Sequence, residues 1–302
     1  MIGHAHGRGT APSRRYVQMD VFAERPGAGN PLAVVLDAAG LDGDAMQAIA
    51  RWTRLPETTF VVPATSAEAS YGLRIFSPRR EVPFAGHPSV GTAHAVLDAG
   101  MAEPRDGLLV QAGAAGLLPL QVVGEGRRRT IAVRTPRSRV IEVASAEDPR
   151  LRAVVRDLAL GSLPPALVEG GRRWWLAEIR DEATLRGATP DWTEITALAE
   201  ATDSMGLCIY ARSEDPVYYL AVRAWVGGAA APFEDAASGA ANASLAAWLA
   251  SQDALPGDDG RYRVSQGREV GCDAIIDLHV DHDGEVWSGG RACTVVSGRI
   301  VW

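Results

Sequence analysis

VPFAGHPSVGTAHAVLDAG, residues 82–100, and APFEDAASGAANASLAAWLAS, residues 231–251, decide how this chain is read. Each runs from a Pro-Phe pair through a short glycine-bearing turn into an alanine-rich helix with few large residues. The first helix is expected over 87–99, stopping at Gly100, and the second over roughly 239–251. They align only with short insertions, so the repeat is weak. Two related halves facing one another would place both helix N-termini on a shared cleft.

Outside this pair the chain alternates strand-like runs with a few helices. YVQMDVF (16–22), GNPLAVVLD (29–37), ETTFVVP (57–63) and YGLRIFSP (71–78) read as strands. Asp42 offers an N-cap to a helix with Met46, Ile49, Ala50 and Thr53 on one face. Residues 104–145 are strand-rich, and AEDPRLRAVVRDLAL (146–160) reads as helix. The second half returns to the same order: LCIYAR, VYYLAVRAWV, the 239–251 helix, then YRVSQG, AIIDLHVD, EVWSGG and ACTVVSGRIVW. The N-terminal MIGHAHGRGTAPSRR has no apolar signal segment and is expected to be a disordered leader over 1–14.

Composition removes several chemistries. The chain has 302 residues, a formal net charge of −7, 47% hydrophobic and 22% charged residues, the balance of a soluble globular protein. All 30 basic residues are arginine. Without lysine there is no pyridoxal phosphate Schiff base, class I aldolase, Ser-Lys hydrolase or Walker-type phosphate loop. Net negative charge argues against nucleic acid, with Arg127-Arg128-Arg129 the one long basic run. No apolar run approaches the roughly 18 residues of a membrane span. Cys208, Cys272 and Cys293 are odd in number and lack CxxC spacing, which fits a reducing compartment such as the cytoplasm. No dinucleotide fingerprint, GxSxG or HExxH occurs.

The candidate site residues cluster around the two glycine turns. N–H groups at a helix start lack intrahelical partners and carry positive partial charge, so Gly86-His87 and Gly239-Ala240 are candidate carboxylate sites, or plain caps. Glu57 opens an apolar strand. A carboxylate against apolar walls is raised toward neutrality and suits a general base that later returns its proton. The plainer alternative is an edge-strand surface glutamate. Asp235 either acts on substrate or merely caps the following helix. His87 either orients a substrate or shares a proton with it, or else satisfies a turn carbonyl, and His94 reads as structural.

Other conspicuous groups read as structural. Trp174-Trp175 is expected in the core or an interface. Asp277, His279, Asp281, His282 and Asp283 resemble a metal cluster on paper, but strand alternation and a turn before Gly284 scatter them. His4 and His6 lie in the leader. No metal site is expected.

Taken together, DVFAERPGAGNPLAVVLD, LPETTFVVP, RIFSPRREVPFAGHPSVGTAHAVL, APFEDAASGAANASLAAWL and VSQGREVG resemble the phenazine-biosynthesis isomerase family, in consistent order from about Tyr16 to the C-terminus. That family is related in fold to diaminopimelate epimerase. The resemblance implies an α+β fold of two similar lobes, each a β-barrel-like sheet wrapped around a central helix. The first lobe would comprise 15–130 plus 292–302, and the second 131–291. It further implies Glu57 as catalytic acid/base, with His87 and Asp235 orienting the substrate. Gly86, Ser238, Gly239 and Ala240 would bind a small carboxylate-bearing substrate. No cofactor and a homodimer are expected on the same ground.

Three positions depart from the family pattern: Ala236 stands where proline is usual, Ala240 where a small hydroxyl residue is usual, and Cys272 where arginine is frequent. They leave the phenazine-pathway substrate open, and other antibiotic pathways are alternatives. The leading expectation is a cofactor-independent isomerase moving a proton and double bond in a small cyclic amino or hydroxy acid. An amino-acid racemase or epimerase is the second reading, although Ala85 and Ser238 occupy the turns where such enzymes place thiols. A non-catalytic small-molecule-binding protein is the third.

Overall fold

In the computed structural model, which describes residues 12–145, 147–228, 231–257 and 259–302, the first half of the chain runs β1 (Ser13–Val21), β2 (Asn30–Val35), α1 (Gly43–Thr53), β3 (Glu57–Val62), β4 (Tyr71–Phe76), β5 (Glu81–Val82), α2 (Gly86–Asp98), β6 (Leu108–Gly113), β7 (Gly116–Val123) and β8 (Thr130–Arg134). Then follow β9 (Arg139–Val143), α3 (Pro149–Val155), β10 (Ala166–Glu169), β11 (Arg173–Glu178), α4 (Glu182–Gly187), α5 (Trp192–Thr202), β12 (Gly206–Arg212), β13 (Leu220–Val226) and β14 (Phe233–Asp235). The chain closes with α6 (Gly239–Ser251), β15 (Arg261–Gln266), β16 (Ala274–Val280), β17 (Val286–Gly290) and β18 (Ala292–Val301). This is a mostly-sheet α+β protein.

Strand pairing is continuous. It passes from β18 through β1, β2, β3, β4, β6, β7 and β8 to β17, then through β16, β15, β13, β12, β11 and β10 to β9. Short β5 and β14 hang on β4 and β13. The same pattern occurs twice. The parallel pairs β2–β3 and β4–β6 in one half match β11–β12 and β13–β15 in the other, and the remaining pairs are antiparallel. Parallel neighbours need a crossover. α1 fills the first in one half and α4 with α5 in the other, while α2 and α6 fill the second.

The repetition extends to side chains. Arg74 on β4 pairs with Glu81 on β5 at 2.7 Å and lies over the Phe76 ring; Arg223 on β13 pairs with Glu234 on β14 at 2.8 Å and lies over the Trp225 ring. Phe76 faces Glu81 across the ladder, as Trp225 faces Glu234.

α2 and α6 are small-residue helices because strands enclose them. α2 touches β1, β2, β3, β8, β17 and β18, and every residue from Gly86 to Val96 is buried. A methyl on Gly91 would meet Leu32 and Val21 at 2.6 Å. α6 packs against β9, β10, β11, β16 and β17. A helix apolar all round is one that has no solvent face. Trp174 and Trp175 are core residues, as expected.

Two expectations need correction. The helix read over 146–160 spans only Pro149–Val155, where the Asp148 side chain caps Arg150 N–H. The leader expected over 1–14 does not extend to its last two residues: Ser13 and Arg14 belong to β1, paired to Val301 and Ile300, and residues 1–11 lie outside the described residues. Arg14 is held there by hydrogen bonds to the carbonyls of Asp37 and Ala39. His4 and His6 lie outside the described residues. Residues 161–205, unassigned in sequence apart from the tryptophans, form β10, β11, α4 and α5. No helix among the described residues is long and apolar enough to cross a membrane.

Candidate active site

Glu57 is the first residue of β3, just after α1 ends with Arg54 in the left-handed region (φ 57°). β3 lies between β2 and β4, so Glu57 is not an edge-strand surface residue. Its side chain is only 19% exposed. Threonines fasten its neighbourhood to α2: Thr92 donates to Thr59 Oγ1 at 2.8 Å, and Thr59 donates to the Ala33 carbonyl. That contact ties the second turn of α2 to β3, two residues along from Glu57.

Glu57 Oε2 lies 3.4 Å from His87 Nε2, without the alignment of a hydrogen bond, so the buried nitrogen has no hydrogen-bond partner among the described residues. Burial pushes the Glu57 carboxyl up to about 7, with the nearby Asp235 charge adding to the rise and Arg172 opposing it. Burial pushes His87 down to about 3, which keeps its imidazole neutral. Glu57 therefore sits between its protonated and ionised forms near neutral pH, beside a ring that carries no charge.

Asp235 ends β14. Its Oδ1 accepts from Asn30 Nδ2 at 3.0 Å and from Ala237 N–H at 3.2 Å. Burial raises its carboxyl, against those hydrogen bonds and the Arg172 charge, which lower it. Asp235 does not cap α6; that role falls to Ser238, whose Oγ accepts from Ala241 N–H. Gln266 closes the turn from behind. Its side chain accepts from Ser238 N–H and Asn242 Nδ2 and donates to the Asp235 carbonyl at 2.8 Å. Gly267 follows in the left-handed region (φ +94°) and packs on the Ala236 carbonyl, where a side chain would clash.

The two helix N-termini meet. A methyl on Gly86 would sit 3.1 Å from Gly239 Cα, and one on Gly239 would sit 3.1 Å from Gly86 Cα. The backbone N–H groups of Gly86, His87, Gly239 and Ala240 have no hydrogen-bond acceptor among the described residues. Four donors thus converge at the junction of two helix dipoles, next to Glu57, His87 and Asp235. All seven residues singled out in the sequence come together here. Ser238 accepts the capping bond with its Oγ, which leaves its O–H free to donate toward the Asp235 carboxyl.

The family described as phenazine biosynthesis-like protein matches residues 19–298. The chain belongs to that family. Among its relatives, antisense-enhancing sequence 1 of Schizosaccharomyces pombe is 29% identical, covering 94% of this chain and 97% of its own length. Trans-2,3-dihydro-3-hydroxyanthranilate isomerase of Pseudomonas aeruginosa is 31% identical, covering 94% and 98%. The crystal structure of a Bacillus anthracis family member superimposes with a TM-score of 0.81 at 24% identity, covering 96% of this chain and all of that one. The fold extends to a probable proline racemase from Agrobacterium radiobacter, with a TM-score of 0.61 at 14% identity over 95% and 92% of the two chains.

Four residues that shape this family member's site escaped the sequence reading. Asn30, Gln266 and Asn242 tie the second turn to the rest of the cleft. Arg172, at the β10–β11 turn, supplies the positive charge felt by both Glu57 and Asp235. Asn30 in Gly29-Asn30-Pro31 stands out as a turn, but a lone arginine among 30 carries no local signal. Cys272, noted for its departure from the pattern, lies beside Gly267 and so adjoins the second glycine turn in space. The acidic-histidine run does not gather: Asp277 pairs with Arg263, and Asp281 accepts from Asp283 and Glu285 N–H and from Trp287 Nε1. Among the described residues no three His, Cys, Asp or Glu side chains group as a metal site.

Proposed function

We propose that this chain is a cofactor-independent isomerase that moves a proton, and with it a double bond, within a small cyclic amino or hydroxy acid of secondary metabolism. The observation that carries the reading is the raised carboxyl of Glu57, at about 7, set beside the paired helix N-termini. Ionised Glu57 takes a proton from a ring carbon. The four backbone N–H groups hold the substrate carboxylate and stabilise charge that develops as the carbanion delocalises into it. Protonated Glu57 then returns the proton to another carbon of the conjugated system. One base serves both steps, so its affinity for the proton must lie near the working pH.

Neutral His87 and the hydrogen-bonded Asp235 position the ring against Glu57. The two related halves are the two lobes of the epimerase type, and the protein acts as a homodimer in the cytoplasm. The isomerase named for the Pseudomonas aeruginosa relative supplies the substrate to try first. The racemase reading has no thiol at either turn, where Ala85 and Ser238 stand.

The test is proton NMR of trans-2,3-dihydro-3-hydroxyanthranilate with the enzyme in deuterated buffer. Rearrangement of the ring signals, with deuterium appearing at a ring carbon, supports the reading. A substrate that stays unchanged, with no exchange, removes this substrate and the isomerisation proposed for it.

A further inference from the structure

The internal repeat gives Arg172 a counterpart. Phe76 faces Thr58 as Trp225 faces Leu207, so Leu207 of the second half corresponds to Thr58 of the first. Ala33 is paired with Thr58 and Trp175 with Leu207, so Trp175 corresponds to Ala33. Three residues upstream of each, Arg172 corresponds to Asn30. Asn30 reaches across from the first half to Asp235 in the second. Arg172 holds the mirrored place, and its charge bears on Glu57 in the first half as well as on Asp235.

Its surroundings differ from those of half-buried Arg186 and buried Arg223. Arg186 pairs with Glu182 and Glu269, and Arg223 with Glu234. Arg172 is half-buried, yet among the described residues it forms no ion pair, and its one side-chain hydrogen bond goes to Met205 Sδ at 3.1 Å. A thioether is a weak acceptor. Arg80 adds a second positive charge that repels it. A guanidinium partly shielded from water, with Glu57 and Asp235 near enough to be felt but no carboxylate in ion-pair contact among the described residues, favours a ligand that brings one.

We propose that Arg172 is a specificity-determining residue that holds an anionic group of the ligand and selects carboxylates over their neutral counterparts. The proposal rests on the reading of the cleft as a site for a small cyclic carboxylate. It adds a side-chain cation to the four backbone donors at the helix starts. A planar guanidinium offers two parallel N–H bonds to a carboxylate, a geometry that lysine does not reproduce.

Calorimetric titration of the full chain with anthranilate and with its neutral amide, 2-aminobenzamide, tests the assignment. The expected result is at least a tenfold preference of the unaltered protein for the acid, reduced tenfold or more in Arg172→Gln. Arg172→Lys should keep part of it, and provides the comparison if the glutamine variant fails to fold. An undiminished preference in the folded variants overturns the proposal, as does failure of the unaltered protein to bind anthranilate at millimolar concentration. If the acid is preferred but trans-2,3-dihydro-3-hydroxyanthranilate is not turned over, the isomerase reading fails and the role of Arg172 stands.

Discussion

Gly86 and Gly239 touch backbone to backbone, each Cα 3.1 Å from where the other's Cβ would be. They start equivalent helices in the two repeated halves, so the halves meet here at the positive ends of two dipoles. Bringing like partial charges together is unfavourable unless an anion sits between them. The unpartnered N–H groups of Gly86, His87, Gly239 and Ala240 are what that anion would find.

Gly86→Ala should therefore push the two helix starts apart rather than merely fill space. The added methyl meets backbone atoms of Gly239 and Ala240, which cannot rotate away as a side chain would. Overpacking of this kind costs about 1–3 kcal/mol. We expect a lowered melting temperature and a loss of turnover of about 100-fold or more. Full activity with an unchanged melting temperature would show that the contact has no role in the site.

Glu57→Gln removes the base while keeping size and most hydrogen bonding. Turnover should fall by about 10³-fold or more with substrate binding little changed. In the unaltered enzyme kcat/KM should rise with pH through a midpoint near the carboxyl's value of about 7. A variant retaining more than about a tenth of the activity would require another base.

The same substitution has a stability consequence whose sign is opposite to that of an ordinary paired carboxylate. Glu57 titrates at about 7 in the fold against 4.5 when unperturbed. Between those values the folded protein keeps a proton that the unfolded chain has released, so stability falls as pH rises through the window. His87, lowered from 6.5 to about 3, acts in the other direction, but it is common to both proteins and cancels in the comparison. Thermal melts should thus show Glu57→Gln near the unaltered protein at pH 4.5 and about 2–6 °C above it at pH 8. Equal melting temperatures at both pH values would mean that Glu57 is not buried as described.

How much of this was legible in sequence depends on whether the signal was local. Glycine turns before apolar helices are local, and α6 begins and ends where the pattern put it. Asp42 caps α1 as its spacing indicates. The burial of Glu57 is not local: ETTFVV reads the same in an edge strand and in a strand flanked by β2 and β4. Asp235 is ambiguous in sequence for a related reason, since Asp235 and Ser238 both precede α6 and the folded turn decides which one caps it. Asn30 touches Asp235, and the Arg172 charge bears on the site, through register between elements far apart in the chain, which spacing within one segment cannot reveal.

Asp235→Asn keeps an oxygen able to accept from Asn30 and Ala237 N–H but removes the charge. Because Ser238 carries the cap, the helix should survive. We expect kcat/KM to fall by about 10- to 1,000-fold, with the melting temperature within a few degrees of the unaltered protein. A large drop in melting temperature at unchanged specific activity would make Asp235 a purely structural residue.

The last prediction concerns thiols and metals. Cys208 is buried and its thiol is pushed far up, while Cys272 is raised by partial burial and the charges of Asp20 and Asp235. The thiolate is the reactive form, so alkylation at neutral pH should be slow at both. Activity should survive iodoacetamide at pH 7 and exhaustive EDTA treatment, because the proposed carbanion is stabilised by the substrate's own conjugation and by backbone donors. Cys272 is the informative exception, because it lies beside Gly267, which packs on the Ala236 carbonyl of the second turn. Bulk added to its sulfur could disturb that turn without the thiol having any chemical role. Cys272→Ala separates the two cases: it should retain at least about a third of the activity and be unaffected by iodoacetamide. An inactive alanine variant, with inactivation of the unaltered protein prevented by substrate, would restore a thiol-dependent epimerase. Loss of activity with EDTA that added metal reverses would overturn the cofactor-free mechanism.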